Sequence, residues 1–175
     1  LFVLGIIPAA CRQQQRSTRG QPARRASNDN VAIAKYRVAM LPPEFLQAKR
    51  SIGNQAVEAF RLGRGTLSHW LRLCTFVNVG LAIEEQGIVR GLKEPLMEAH
   101  FALQAMSARM EKTGIWVPGA LRAIELEAIR ALVDWHLAQL SKLSNSEYDA
   151  AYRLAVGHVT SEGGEVVDIK TLEEA

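Results

Sequence analysis

From Pro43 onward apolar residues recur every three or four positions, and the period-two alternation of a half-buried strand is almost absent. That spacing confines the chain to helices packed on helices. A first helix is predicted over 43–62, with Phe45, Ala48, Ile52, Ala56 and Phe60 on one stripe. Pro43 suits its first turn, where a backbone N–H would lack a partner, and Gly63 suits the left-handed position that stops it. Thr66 is placed to cap a second helix running to Gln86. On its wheel Trp70, Leu73, Cys74, Val77 and Leu81 share one side, and Phe76, Gly80 and Ile83 a second. Only Ser68, Arg72, Thr75 and Gln86 form a polar strip. A helix apolar nearly all round is buried on several sides.

Gly87 and Gly91 bracket the next connection, and a third helix is predicted over 93–112. Its stripe of Leu92, Leu96, Ala99, Leu103, Met106 and Met110 lies opposite Glu94, Glu98 and Arg109. The methionine pair reads as core filling. A fourth helix, 119–143, follows Gly114 and Pro118; its polar strip is Glu127, Arg130, Asp134 and Ser141, and nearly everything else is aliphatic or Trp135. Ser144 and Glu147 have the spacing of a capping box, in which side chain and backbone satisfy each other, and open a fifth helix over 145–159. Gly163-Gly164 ends it, and 165–175 reads as a short extended segment or an acidic tail. Short connections favour antiparallel neighbours. The expected fold is all-α: an antiparallel bundle of about five helices with two buried central helices, the second and fourth.

The 175 residues divide unevenly in charge. Residues 1–30 hold Arg12, Arg16, Arg19, Arg24 and Arg25 against Asp29, a net +4, whereas the rest holds 16 basic and 17 acidic residues. The overall +3 therefore belongs to the leader. As a lipoprotein signal around Cys11 the leader fits poorly. The apolar run is short, Pro8 stands three places before Cys11, and the arginines follow the run, where they oppose translocation. It is expected to be disordered, since it lacks periodic apolar positions. Its arginines form a candidate basic arm that would contact nucleic-acid phosphates without sequence selectivity. The expected organisation is a disordered arginine-rich leader over 1–30, a bundle over 31–160 and a C-terminal tail over 161–175. No run approaches the ~20 apolar residues that span a bilayer, so no membrane partner is expected.

Motifs of chemistry are scarce. Each of the four histidines stands alone, without Glu-x-x-His or His-x-x-x-His pairs, and the two cysteines, Cys11 and Cys74, lack zinc spacing. Neither a phosphate-binding Walker loop nor a Gly-x-Ser-x-Gly elbow occurs. No catalytic, metal-ligating or cofactor-binding residue is assigned, and Cys74 reads as a buried thiol. The turn Gly63, Arg64, Gly65 and Thr66 before a helix is a candidate anion site, because backbone N–H groups gather there; the plainer reading is an interhelical connection. A helix-turn-helix reader of DNA is disfavoured, since the second helix has almost no polar face for base edges.

Polar residues also fall inside apolar arcs. Glu125, His136 and Gln139 share a side with Leu121, Ile129, Leu132 and Leu143, and Asn78 lies between Leu71, Cys74 and Leu81. Buried polar groups need partners, so Asn78, Glu125, His136 and Gln139 are expected to form one buried polar network, with Asn78 and His136 bonded to each other.

Two segments, AFRLGRGTLSHWLRLCTFVNVGLAIEEQGI and TGIWVPGALRAIELEAIRALVDWHLAQL, resemble an uncharacterised family of small helical proteins encoded in proteobacterial prophages and mobile elements. The likeness spans roughly 35–155. It rests on Gly63, Gly65, Thr66 and Trp70, on 78–81, on Thr113, Gly114 and Trp116, and on 125–130 with His136, Gln139 and Leu140. The family has no assigned activity; the resemblance implies a cytoplasmic setting and no mechanism. The expected function is that of a non-enzymatic accessory protein of a mobile element, without cofactor, acting on a protein partner or by homo-oligomerisation. The alternative is a DNA- or RNA-associated regulator using the basic arm.

Overall fold

The computed structural model describes residues 4–6, 23–113, 121–164 and 166–168, with side chains placed over 29–111 and 121–164. Among them are six helices: α1 (Ala23–Val38), α2 (Pro43–Arg61), α3 (Leu67–Gln86), α4 (Lys93–Thr113), α5 (Ala123–Leu140) and α6 (Asn145–Ser161). Two three-residue strands, β1 (Leu4–Ile6) and β2 (Val166–Asp168), pair in parallel from Leu4↔Val166 to Ile6↔Asp168, and β1 lies against α3. The fold is all-α, with this short pair at its margin.

Local chemistry sets the boundaries. Pro43 opens α2, and Gly63, with φ of 67°, follows its end in the left-handed region that glycine enters without a Cβ clash. Thr66 caps α3 by accepting from the His69 N–H, and Ser144 caps α6 by accepting from the Glu147 N–H while Glu147 accepts the Ser144 N–H at 2.7 Å. The predicted span 119–143 is too long. The Glu125 carboxylate accepts the Arg122 N–H at 3.0 Å, which fixes the start of α5 at Ala123. At the other end Lys142 and Leu143 donate three residues back, to Gln139 and Leu140, and this tighter turn ends the helix.

Contacts give the directions. Trp70 Nε1 donates to the Leu103 carbonyl at 3.1 Å, and Gly80 packs on Leu96, so α3 and α4 run antiparallel. Phe76 meets His136 and Gly80 meets Gln139, so α3 and α5 run the same way. Gly53 of α2 sits where three helices converge: a Cβ there would lie 2.8 Å from Val133 Cγ1 and 2.9 Å from Phe76 Cε2. Helix α3 contributes to both core clusters, one with α2, α4 and α5 and the other with α6 and the α5–α6 corner, and is therefore central.

The expected leader boundary at residue 30 is displaced. Residues 23–30 belong to α1, and Leu4–Ile6 to a strand. The pattern concealed both: the apolar residues of α1 fall on two sides of the helix, and the short apolar run around Leu4–Ile6 was read as part of a disordered leader. Helix α1 rests against α6, and its last turn is tied to the α5–α6 corner. Asn145 Nδ2 donates to the Tyr36 and Ala39 carbonyls at 2.9 and 3.0 Å, and Ser146 Oγ to Arg37 at 2.9 Å. Every placed side chain of α1 is exposed, Val31, Ile33, Tyr36 and Val38 included.

Candidate functional site

The four residues expected to form one network go to four separate settings. Glu125 is buried at the α4–α5 contact, where Arg109 Nη1 and Nη2 donate to its two oxygens at 2.7 and 2.8 Å. Burial by itself raises its carboxyl, but the Arg109 guanidinium and the Arg122 N–H outweigh that and hold it below the usual carboxylate range. Gln139 Nε2 donates to the Gly80 carbonyl at 3.2 Å, a tie between the two central helices. His136 stacks on Phe76 with ring centroids 4.5 Å apart and planes at 27°. Asn78 is only half-buried, and its Nδ2 has no hydrogen-bond partner among the described residues.

The expected Asn78–His136 bond is therefore absent, and helix geometry supplies the reason. Each residue advances about 100° round the axis, so Phe76 and Asn78 project roughly 200° apart. A His136 facing Phe76 cannot face Asn78. Phe76 and Gly80, four apart, do share a face, and they meet His136 and Gln139, three apart.

Lys49 is the residue sequence reasoning missed. It lies one turn from Gly53 on α2, is 7% exposed, and places Nζ 5.2 Å from the Phe45 ring centroid and 5.8 Å from that of Tyr148. Ring faces attract a cation, and no carboxylate pairs with it among the described residues. Burial pulls its ammonium down to about 8. Burial, with the Lys49 charge added, pulls His136 down to about 3, so its imidazole is neutral near pH 7. His136 Nδ1, Gln139 Oε1 and the Tyr152 hydroxyl are buried without hydrogen-bond partners among the described residues. The available signal was position: Lys49 stands four residues after Phe45 and three before Ile52, inside the apolar stripe.

The turn at 63–66 is explained by packing and capping. A Cβ on Gly65 would fall 2.2 Å from the Phe60 ring, so only glycine fits. The Thr66 hydroxyl and N–H both meet His69 Nδ1, at 2.8 and 3.2 Å, so these groups are committed within the chain. In the candidate basic arm, Arg12, Arg16 and Arg19 lie outside the described residues, as do Gly114 and Trp116, while Arg24 and Arg25 fall within α1. Burial pushes the Cys74 thiol upward, away from the reactive thiolate.

A different surface stands out once α5 is placed. Its inner face meets α2, α3 and α4, as expected for a buried helix. Its outer face is not buried. Ile124 is 74% and Trp135 42% exposed, Ala138 is exposed, and Ala128 and Ala131 are half-buried between them. These five positions advance by alternating steps of four and three, the spacing of a helix-pairing seam. Glu127 and Asp134 lie exposed along one flank. Beside that flank a groove of about 370 Å³ is lined by Asn54, Val57 and Glu58 of α2 and Arg130 and Asp134 of α5.

Among the described residues no group of three or more His, Cys, Asp or Glu is placed to hold a metal, and no helix is long and apolar enough to cross a membrane. Comparison with known protein families, with curated proteins and with solved structures finds no match.

Proposed function

We propose that this protein acts by helix-mediated association with another protein chain, as a non-enzymatic accessory factor of a mobile element. The carrying observation is the outer face of α5. A helix that forms the core on one side presents Ile124 and Trp135 to solvent on the other, linked by small residues that let a partner helix approach closely. Contiguous exposed apolar surface with a polar rim is characteristic of interaction sites. The resemblance carried by Gly63, Gly65, Thr66 and Trp70, by 78–81 and by 125–130 with His136, Gln139 and Leu140 supports the cellular setting, and with it a cytoplasmic location.

The test is a double substitution on the solvent-facing side of α5, Ile124→Glu with Trp135→Glu. Circular dichroism is expected to show wild-type helicity and a wild-type melt. Sedimentation velocity, with the purified chain and with native host extract, is expected to show a larger species for wild type that the variant loses. Identical assemblies from both proteins would contradict the proposal.

A second reading rests on a separate observation, the concentration of Arg12, Arg16, Arg19, Arg24 and Arg25 in the first 30 residues. It gives a DNA- or RNA-associated regulator. Anisotropy with labelled duplex DNA would then show affinity falling steeply with salt. No binding at low salt would eliminate it.

A further inference from the structure

We infer that the occupant of the α5 outer face is helix α1 of a second copy of this chain, with the two copies exchanging α1 reciprocally. The inference rests on the association reading above and names its partner.

Charge selects α1. Its sixteen residues hold Arg24, Arg25, Lys35 and Arg37 against Asp29, a net +3. On the wheel Val31, Ala34 and Val38 form one stripe, Lys35 and Arg37 flank it on either side, and Asp29 falls opposite. All six are exposed, so the stripe is free of its own bundle. The α5 seam is matched in kind: apolar and small residues, with Glu127 and Asp134 on its flank. Arg130, one step further round, lies near Glu58 of α2 and is turned from the seam.

The same charges count against the simpler symmetric pairings. Two α5 faces in antiparallel contact would bring Glu127 and Asp134 of one copy against the same flank of the other. Two α1 helices would oppose Lys35 and Arg37 with their own kind. Like charges facing across a seam are unfavourable, and opposite charges set the partner. Exchange of α1 for α1 uses one surface pair twice about a two-fold axis and closes as a dimer. The hydrogen bonds from Asn145 and Ser146 anchor the base of α1 while its exposed length remains available to a partner.

Two single-cysteine proteins test the contact directly, each full-length and carrying Cys11→Ser and Cys74→Ala. One adds Ala34→Cys at the centre of the α1 stripe, the other Ala131→Cys at the centre of the α5 seam. Mixed and oxidised, they are expected to form a disulfide heterodimer, whereas either alone forms little. Charge reversal supplies the second arm, read by sedimentation equilibrium. Lys35→Glu with Arg37→Glu is expected to weaken the dimer roughly tenfold, and adding Glu127→Lys with Asp134→Lys to restore it. Preferential linking of α5 to α5, an intrachain link when both cysteines are in one chain, or a chain monomeric under all conditions would overturn the inference. If the purified chain is monomeric but the α5 substitutions still abolish a complex with another protein, the association reading survives and this inference alone falls.

Discussion

Lys49 and His136 are basic side chains shut from solvent where α2 and α5 meet, and the charge of one opposes protonation of the other. A free imidazole titrates near 6.5 and the buried one near 3. Between these values the unfolded chain takes up a proton that the folded chain refuses, so the contribution is full above about pH 6.5 and is lost as pH falls toward about 3. Urea melts are expected to show declining stability between about pH 6.5 and 5, above the range of ordinary carboxylates, with the slope reduced in His136→Leu. His100, also shifted down by burial, retains part of it. For Lys49 the ammonium is lowered from 10.5 to about 8, so its burial costs stability at neutral pH and is relieved as pH rises past 8. Lys49→Met keeps the apolar stem and is expected to stabilise the fold by about 1–3 kcal/mol at pH 7. The same substitution is expected to raise the His136 titration midpoint in NMR. An unchanged midpoint would separate the two residues. The burial of His136 and Gln139 was legible because both fell on apolar arcs. Their partners were not, since a wheel gives the face of one helix and nothing of the rotation of the next.

Among the helices, those with a clear stripe and a capping signal were read almost to the residue. The spans at 43, 67, 93 and 145 begin where Pro43, Thr66, Gly91 and Ser144 place them. Helix α1 was missed because its apolar residues fall on both sides and it buries none of its placed side chains. The ends of α5 were misjudged because Glu125, read as a buried polar residue, is also the group that caps the helix start. Ser144→Ala removes one half of a capping box and is expected to cost about 1 kcal/mol in thermal or urea melts. Gly53→Leu forces a branched side chain between Val133 and Phe76 and is expected to cost about 1–3 kcal/mol. A neutral effect at Gly53 would mean that α2, α3 and α5 are less closely packed than their geometry shows.

For the molecule as a whole, the inside and the outside of α5 answer different requirements. The inner face, with Ile129, Leu132, Val133 and His136, holds the bundle together. The outer face touches that core only through Ala128, yet carries Ile124 and Trp135 on a small-residue seam open to solvent. Sequence pattern alone gave the apolar character of both faces and led to the expectation that both are buried within one chain. The exposed seam and the basic α1 complete each other only between chains, and that pairing is the central claim. Hydroxyl-radical footprinting of the unaltered protein tests it most directly, with Trp70, buried at 7% exposure, as an internal reference. Trp135 and Val31 are expected to be oxidised readily in dilute solution and to become protected together as the protein is concentrated, while Trp70 stays protected throughout. Trp135 oxidised to the same extent at every concentration, and in the presence of native host extract, would contradict it.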